Sequence, residues 1–320
     1  MPLLQPPPFK PKFPLQSGHL QTIFPRLFRK VSLPPVIRRK IDTPDGDFLD
    51  IDWHLAGSTR LVVIAHGLEG NSRRHYVLGM ARAMVLSGWD CITYNFRGCG
   101  SAMNKKAQMY HSGQTEDLHT VLEYGLKHGI YEDAALIGFS VGGNQVMKYL
   151  GEAPELVPPE VIRGIGISVP CDLTSSAKQL CKPSNILYNH YFLHSLKKKV
   201  KAKSLQFPEL FPLKRLAGIK NIIGFDNEYT APVHGFKDAF DYYEKASCKQ
   251  FLHKIKVPSL ILNAKDDPFL ASECYPIVEA QNNNNLSLQI PNYGGHVGFT
   301  NLPQEKQLWS EGRAVRFLNT

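Results

Sequence analysis

The stretch AALIGFSVGGNQVMKYL, residues 134–150, decides the fold. An apolar segment runs through Gly-Phe-Ser-Val-Gly-Gly straight into a pattern with helical spacing. Gly138-Phe139-Ser140-Val141-Gly142 is therefore G-x-S-x-G between an expected strand and an expected helix. In such a turn the serine sits on a sharp, strained strand-to-helix corner. The positions two before and two after it must lack bulk, and glycine fits both. The corner lifts the Ser140 hydroxyl out of the sheet. The N-terminus of the following helix then favours a developing oxyanion.

The segments on either side alternate between strand and helix. Residues 61–65, LVVIA, are apolar on both faces, as a central parallel strand should be. FLDIDWHL (48–55) alternates, with Leu49, Ile51 and Trp53 opposite Asp50, Asp52 and His54, which predicts a half-exposed antiparallel edge strand. Helical spacing over 76–86, the strand 90–95, a helix over 114–129 with acids in its first turn, the strand 164–169, the strands 258–264 and 286–290 and a final helix within 303–318 complete the pattern. Strands alternating with helices predict an α/β class with a mostly parallel sheet covered on both faces. The alternation stops after Pro170 and resumes at Pro258. The expected organisation is a basic, proline-rich arm over residues 1–40, a core over 41–170 and 251–320, and a helical lid over 171–250.

A serine on such a turn needs an acid and then a histidine later in the chain. PSLILNAKDDPFL delivers Asp266 and Asp267 at the end of a buried strand, and IPNYGGHVGF places His296 in a glycine-flanked loop. His296 is expected to act as general base, with an aspartate holding its tautomer. Adjacent residues on an extended segment face opposite ways. Asp267 is taken as the partner and Asp266 as the residue that caps or orients the loop, with the reverse assignment open. The loop in LVVIAHGLEGNS offers the Leu68 N–H to join that of Val141 as an oxyanion hole. His66 has no HxxxH or HExxH companion, so it is read as orienting that loop. Arg97, Asp117 and Asp226 are read as structural.

RLVVIAHGLEGNS, NFRGCG, YHSGQTEDL, GFSVGGN, FDNEYTAPVHGFKDAFDYY, NAKDDPF and GGHVGF together resemble the YheT-like esterase branch of the α/β-hydrolase superfamily. That branch is related to abhydrolase-domain lipases and to yeast medium-chain ester synthase/esterases. The resemblance runs from about SGHLQTIFPRLFR to the C-terminus. It implies an α/β-hydrolase fold and a serine triad falling on Ser140, Asp267 and His296. Two positions depart from the family pattern. Val141-Gly142 stands where the family has Leu-Gly, and Gly98-Cys99-Gly100-Ser101 stands where it has Gly-Cys-Ser-Gly. The second departure bears on substrate preference rather than on chemistry.

The formal charge of +9 is uneven. Residues 1–40 carry eight Lys or Arg and no acid, and residues 171–250 a net of +6. Such segments suit an anionic membrane surface, an acidic substrate or simply solvent. Recognised nucleic-acid motifs are absent from the sequence, so no nucleic-acid partner is expected. The six cysteines form no CxxC or zinc spacing, and no metal or cofactor is expected. Prolines interrupt the first residues where a signal peptide needs an apolar run, and the expected place is the cytoplasm, with contact at a membrane surface. The expected function is cleavage of short- to medium-chain acyl esters or acylglycerol-like lipids through an acyl-serine intermediate. Acyl transfer to an alcohol uses the same intermediate. A non-catalytic binding module is the alternative from another class.

Overall fold

The computed structural model describes residues 9–32, 36–301 and 306–320. The first eight residues of the expected arm and the expected start of the last helix at 303 lie outside the described residues.

Eight strands form one sheet: β1 (Ile37–Asp42), β2 (Phe48–His54), β3 (Arg60–Ala65), β4 (Asp90–Tyr94), β5 (Asp133–Phe139), β6 (Val161–Ile167), β7 (Ser259–Leu262) and β8 (Leu286–Gln289). Their order is β1-β2-β4-β3-β5-β6-β7-β8. The pairings β1–β2 and β2–β4 are antiparallel, and every other pairing is parallel. Helices α1 (Gly18–Phe28), α2 (His75–Leu86), α3 (Glu116–His128) and α4 (Val141–Glu152) precede or connect these strands.

β3 is central because both of its faces are apolar. Leu61, Val63 and Ala65 join the core beneath α3 and α4. Val62 and Ile64 join a second core beneath α2 and the C-terminal helix Trp309–Leu318. Burying each such side chain is worth about 1.5–3 kcal/mol, so the chain closes on both faces of the sheet. The register aligns Ala65 with Gly138 and Phe139 with Ile167, which brings the carboxyl ends of β3, β5 and β6 together. Ligands on open α/β sheets bind at that edge.

Between β6 and β7 the chain leaves the sheet. It forms α5 (Leu173–Leu180), α6 (Ile186–Ser204), a π-helical turn at Asp226–Thr230 and the helix Ala239–Ala246. Leu193, Leu196, Val200, Phe211 and Tyr229 give this insertion a core of its own, which also takes in Met109 from the loop after β4.

Two expectations change. β2 is antiparallel but lies one strand in from the edge, and all seven of its residues are buried. Its polar side is covered by partners far along the chain. The Asp52 carboxylate accepts from Arg38 Nε at 2.6 Å and Ser72 Oγ at 2.6 Å, and Asp50 accepts from Ser101 N and Oγ. The basic N-terminal segment is also built into the body. α1 packs beside the carboxyl edge of the sheet, and Ile37–Asp42 is itself the edge strand.

Candidate active site

β5 ends at Phe139 and α4 begins at Val141, so Ser140 alone turns the corner. Its backbone has φ 53° and ψ −120°, a left-handed conformation that costs a non-glycine residue energy. The glycines around it answer to contact distances. A Cβ on Gly138 would lie 2.1 Å from the Gly142 carbonyl oxygen, and one on Gly142 would lie 2.4 Å from the His66 carbonyl oxygen. A Cβ on Gly143 would lie 2.8 Å from Val169 Cγ2. Gly142→Val is therefore expected to lower stability by about 3 kcal/mol or more, read by urea unfolding. A variant as stable as the unaltered protein would show that the turn has room.

The side chains singled out in the sequence meet at this corner. His296 Nε2 is 2.9 Å from Ser140 Oγ. On its other side His296 Nδ1 is 2.9 and 3.1 Å from the two carboxylate oxygens of Asp267. Asp267 is held in turn by the Phe269 N–H, which donates to Oδ1 at 2.9 Å. All three residues are buried. Asp266 faces the other way. Its Oδ1 accepts the Gly295 N–H at 2.8 Å, and burial, with the neighbouring Asp267 charge, pushes its carboxyl up to about 6. It caps the loop that carries the imidazole.

The glycine just before His296 is required by packing. A Cβ on Gly295 would lie 2.4 Å from the Gly18 carbonyl oxygen, so Gly295 lets α1 lie against the loop. α1 then supports the histidine directly, because the His296 N–H donates to Thr22 Oγ1 at 2.9 Å. Gln21 is fully buried, donates to the Thr300 and Leu15 carbonyls and accepts the Thr300 N–H. Sequence reading missed both residues. The only signal was a pair of adjacent polar side chains, Gln21 and Thr22, between apolar neighbours, and nothing in it names partners some 270 positions away.

Leu68 and Val141 line the same cavity as Ser140. Among the described residues neither N–H has a hydrogen-bond acceptor, while their neighbours are engaged: Gly67 N donates to Tyr76 Oη at 3.0 Å and Glu69 N to Tyr110 Oη at 2.9 Å. His66 is fully buried. Its Nδ1 donates to the Gly67 carbonyl at 2.7 Å and its Nε2 accepts the Phe96 N–H at 3.1 Å. Burial lowers its pKa to about 3, so it stays a neutral brace for the loop. Glu69, at φ 52°, takes hydrogen bonds from Tyr110, Ser195 and Lys199 and so ties the loop to α6.

Arg97, Asp117 and Asp226 lie outside this hydrogen-bonded chain. Arg97 donates to Asp117 at 2.7–3.2 Å and to Asp45 at 2.6 Å, joining the loop after β4 to α3 and to the β1–β2 turn. Asp226 accepts from Thr230 and Tyr243, both at 2.6 Å, in the wall of the insertion.

The cavity over Ser140 spans about 750 Å³, the solvent at its mouth included. Leu173, Ala177, Leu180, Leu196 and Ile222 of the insertion form its apolar wall. Groups of His, Cys, Asp and Glu able to hold a metal ion are absent among the described residues.

The chain is 34% identical to an Escherichia coli (strain K12) protein named "Putative esterase YheT", over 98% of this chain and 93% of that one. It is 31% identical to the Homo sapiens protein "Phospholipase ABHD3", over 84% of this chain and 68% of that one. A family described as alpha/beta hydrolase fold matches residues 60–179. Among solved structures, the Pyrococcus furiosus esterase Pf2001 superimposes with a TM-score of 0.59 at 16% identity, covering 99% of this chain and 97% of that one. An esterase from Exiguobacterium antarcticum superimposes with a TM-score of 0.56 at 19% identity, covering 89% of this chain and all of that one. At those identities the two structures show the shared fold.

Proposed function

We propose that this chain, which belongs to the YheT-like branch of the α/β-hydrolase superfamily and is an ester-cleaving hydrolase, cleaves carboxylic esters through an acyl-Ser140 intermediate. The observation that carries this reading is the unbroken Asp267–His296–Ser140 chain of hydrogen bonds at the floor of an apolar cavity.

His296 Nε2 accepts the Ser140 proton as Oγ bonds to the ester carbonyl carbon. The carbonyl oxygen becomes the oxyanion of a tetrahedral intermediate, within reach of the unengaged Leu68 and Val141 N–H groups. His296 returns the proton to the alcohol oxygen as the carbon–oxygen bond breaks. Water, deprotonated by His296, then attacks the acyl carbon; the carbon–Oγ bond breaks, His296 returns the proton to Ser140 Oγ, and the acid leaves. Asp267 keeps the Nδ1 proton in place and stabilises the imidazolium. The insertion over residues 171–250 serves as the lid, and its apolar wall supports a short- to medium-chain acyl group. An alcohol reaching the acyl-serine in place of water would make this a transferase, and added ethanol reports that partition as ethyl ester.

The test is labelling by a fluorophosphonate probe, with turnover of p-nitrophenyl esters of graded acyl length, on the unaltered protein and Ser140→Ala. Labelling should vanish and turnover should fall at least about 10^4-fold in the variant. A folded wild-type protein that takes no label would overturn the acyl-serine reading.

No helix among the described residues is long and apolar enough to cross a membrane. α1 nevertheless exposes Leu27 and Phe28 beside Arg26, which supports peripheral contact of the N-terminal segment with an anionic membrane surface. Sedimentation with anionic against neutral vesicles tests this, and equal binding to both would refute the electrostatic part.

A further inference from the structure

A second cavity opens on the other side of Ser140. It spans about 1060 Å³, the solvent at its mouth included. It shares Leu68, Ser140, Phe192, Phe269 and His296 with the apolar cavity, so the two meet at the reacting hydroxyl. Their walls differ in kind. The second is lined by Arg26 from α1, by Arg73 and Arg74 just before α2, and by Tyr188 and Tyr191 from α6.

The three arginines carry unneutralised charge. Among the described residues none of them has a carboxylate within the 4.0 Å of an ion pair. The one acid in this wall, Glu69, is already paired with Lys199 at 2.6 Å. The arginines are positioned by uncharged groups instead. The Arg26 guanidinium lies 4.1 Å over the Tyr191 ring. Arg74 Nη2 donates to Tyr191 Oη and to the Glu69 carbonyl, both at 3.1 Å. Arg73 is exposed at the rim. The phenol reports the resulting potential. Burial alone would raise the Tyr191 pKa, yet the neighbouring Arg26 and Arg74 guanidinium groups, with the Arg74 hydrogen bond, hold it below its ordinary value. His75, also in this wall, is pushed down to about 4 by burial, with the Arg29, Arg26 and Arg74 charges adding to it. It therefore adds no positive charge at neutral pH.

An ester bound across Ser140 must put its two halves in these two cavities. An acyl chain gains by entering the apolar one. We propose that the arginine-lined cavity takes the alcohol portion and selects alcohols that carry an anion, a phosphate or a carboxylate; this rests on the acyl-Ser140 reading above. Guanidinium forks match both anions, and charge-assisted hydrogen bonds there hold the leaving group while His296 protonates its oxygen.

The probes are the octanoyl esters of meta-hydroxybenzoate and of its neutral methyl ester, with octanoyl glycerol phosphate and octanoylglycerol as the phosphate pair. The readout is the ratio of kcat/KM for the anionic ester to that for its neutral match. The ratio should exceed one for at least one pair, and which pair shows it distinguishes carboxylate from phosphate. It should fall as salt rises. Arg26→Gln and Arg73→Gln should each lower the ratio about tenfold where their fork is engaged. The double variant Arg26→Glu/Arg73→Glu should turn the preference toward octanoylcholine, a gain that misfolding cannot produce. A ratio at or below one for both pairs in the unaltered protein overturns the proposal, as does a ratio the substitutions leave in place. If none of these esters turns over and no fluorophosphonate label is taken up, the acyl-serine reading itself fails. Labelled protein without anion preference refutes this inference alone.

Discussion

Asp267→Asn is expected to lower kcat by about 10^3–10^4-fold with little change in melting temperature, while Asp266→Asn is expected to stay within about tenfold of the unaltered protein. The difference follows from what each carboxylate holds. Both oxygens of Asp267 lie within 3.1 Å of His296 Nδ1, so that nitrogen must carry the proton and Nε2 is left free to accept from Ser140. An asparagine can turn its NH2 toward Nδ1. The proton then moves to Nε2, and the imidazole can no longer act as a base toward the serine. Asp266 accepts a backbone N–H from Gly295, a task an amide oxygen performs as well. Its substitution should appear in stability instead. The folded-state pKa of Asp266 is about 6, above its ordinary 3.8, so the fold favours its protonated form. That stabilisation is complete below about pH 4 and is lost as pH rises through about 6. Asp266→Asn should remove this part of the pH dependence and gain stability relative to the unaltered protein above pH 6. Initial rates and thermal melts from pH 4 to 8 on both variants check the pair. Equal loss of activity in the two would mean that the acids share the task.

The sheet was legible because its central strands carry their burial in their own composition. LVVIA can be buried on both faces and nothing else, and the same holds for ALIGF before the serine. The order serine, acid, histidine was legible because each residue follows a strand, Ser140 directly and Asp267 and His296 in the loops after β7 and β8, where local pattern and chemistry coincide. β2 was misread for the complementary reason. Its alternation is real, but alternation says only that one side is polar, and here Arg38, Ser72 and Ser101 arrive to cover that side. The same limit hid the support of His296. Thr22 and His296 are 274 positions apart, and no local pattern links a threonine on one helix to a backbone N–H in a distant loop. The arginine-lined cavity at Ser140 was hidden too. No local pattern sets Arg26 with Arg73 and Arg74 in one wall.

Glu311→Ala should be among the most destabilising single changes outside the core, by about 3–5 kcal/mol, and should cost activity at temperatures below global unfolding. Arg29, just past the end of α1, donates from both terminal nitrogens to Glu311 of the C-terminal helix, at 2.6 and 2.9 Å. Both side chains are almost wholly out of water, at 4% and 2% exposure. Truncating the glutamate leaves a buried guanidinium without its counter-charge, and this, more than the lost attraction, sets the size of the effect. Glu311 also accepts the Leu308 N–H at 2.9 Å, so the start of its own helix loosens as well. For a chain of 320 residues the change corresponds to a fall in Tm of roughly 4–8 °C. Arg29→Met/Glu311→Leu removes both charges and should recover most of the loss, which separates buried-charge cost from packing. The effect on activity follows from the position of Arg29. It fastens the end of the helix whose Gln21 and Thr22 hold the 294–300 loop. Once that end is free, α1 can leave the loop, and His296 loses its backbone anchor while the sheet is still folded. Turnover of Glu311→Ala should therefore decline at a lower temperature than its unfolding midpoint, whereas in the unaltered protein the two should coincide. Coincidence in the variant would mean that the pair stabilises the body as a whole and that the histidine loop does not depend on α1.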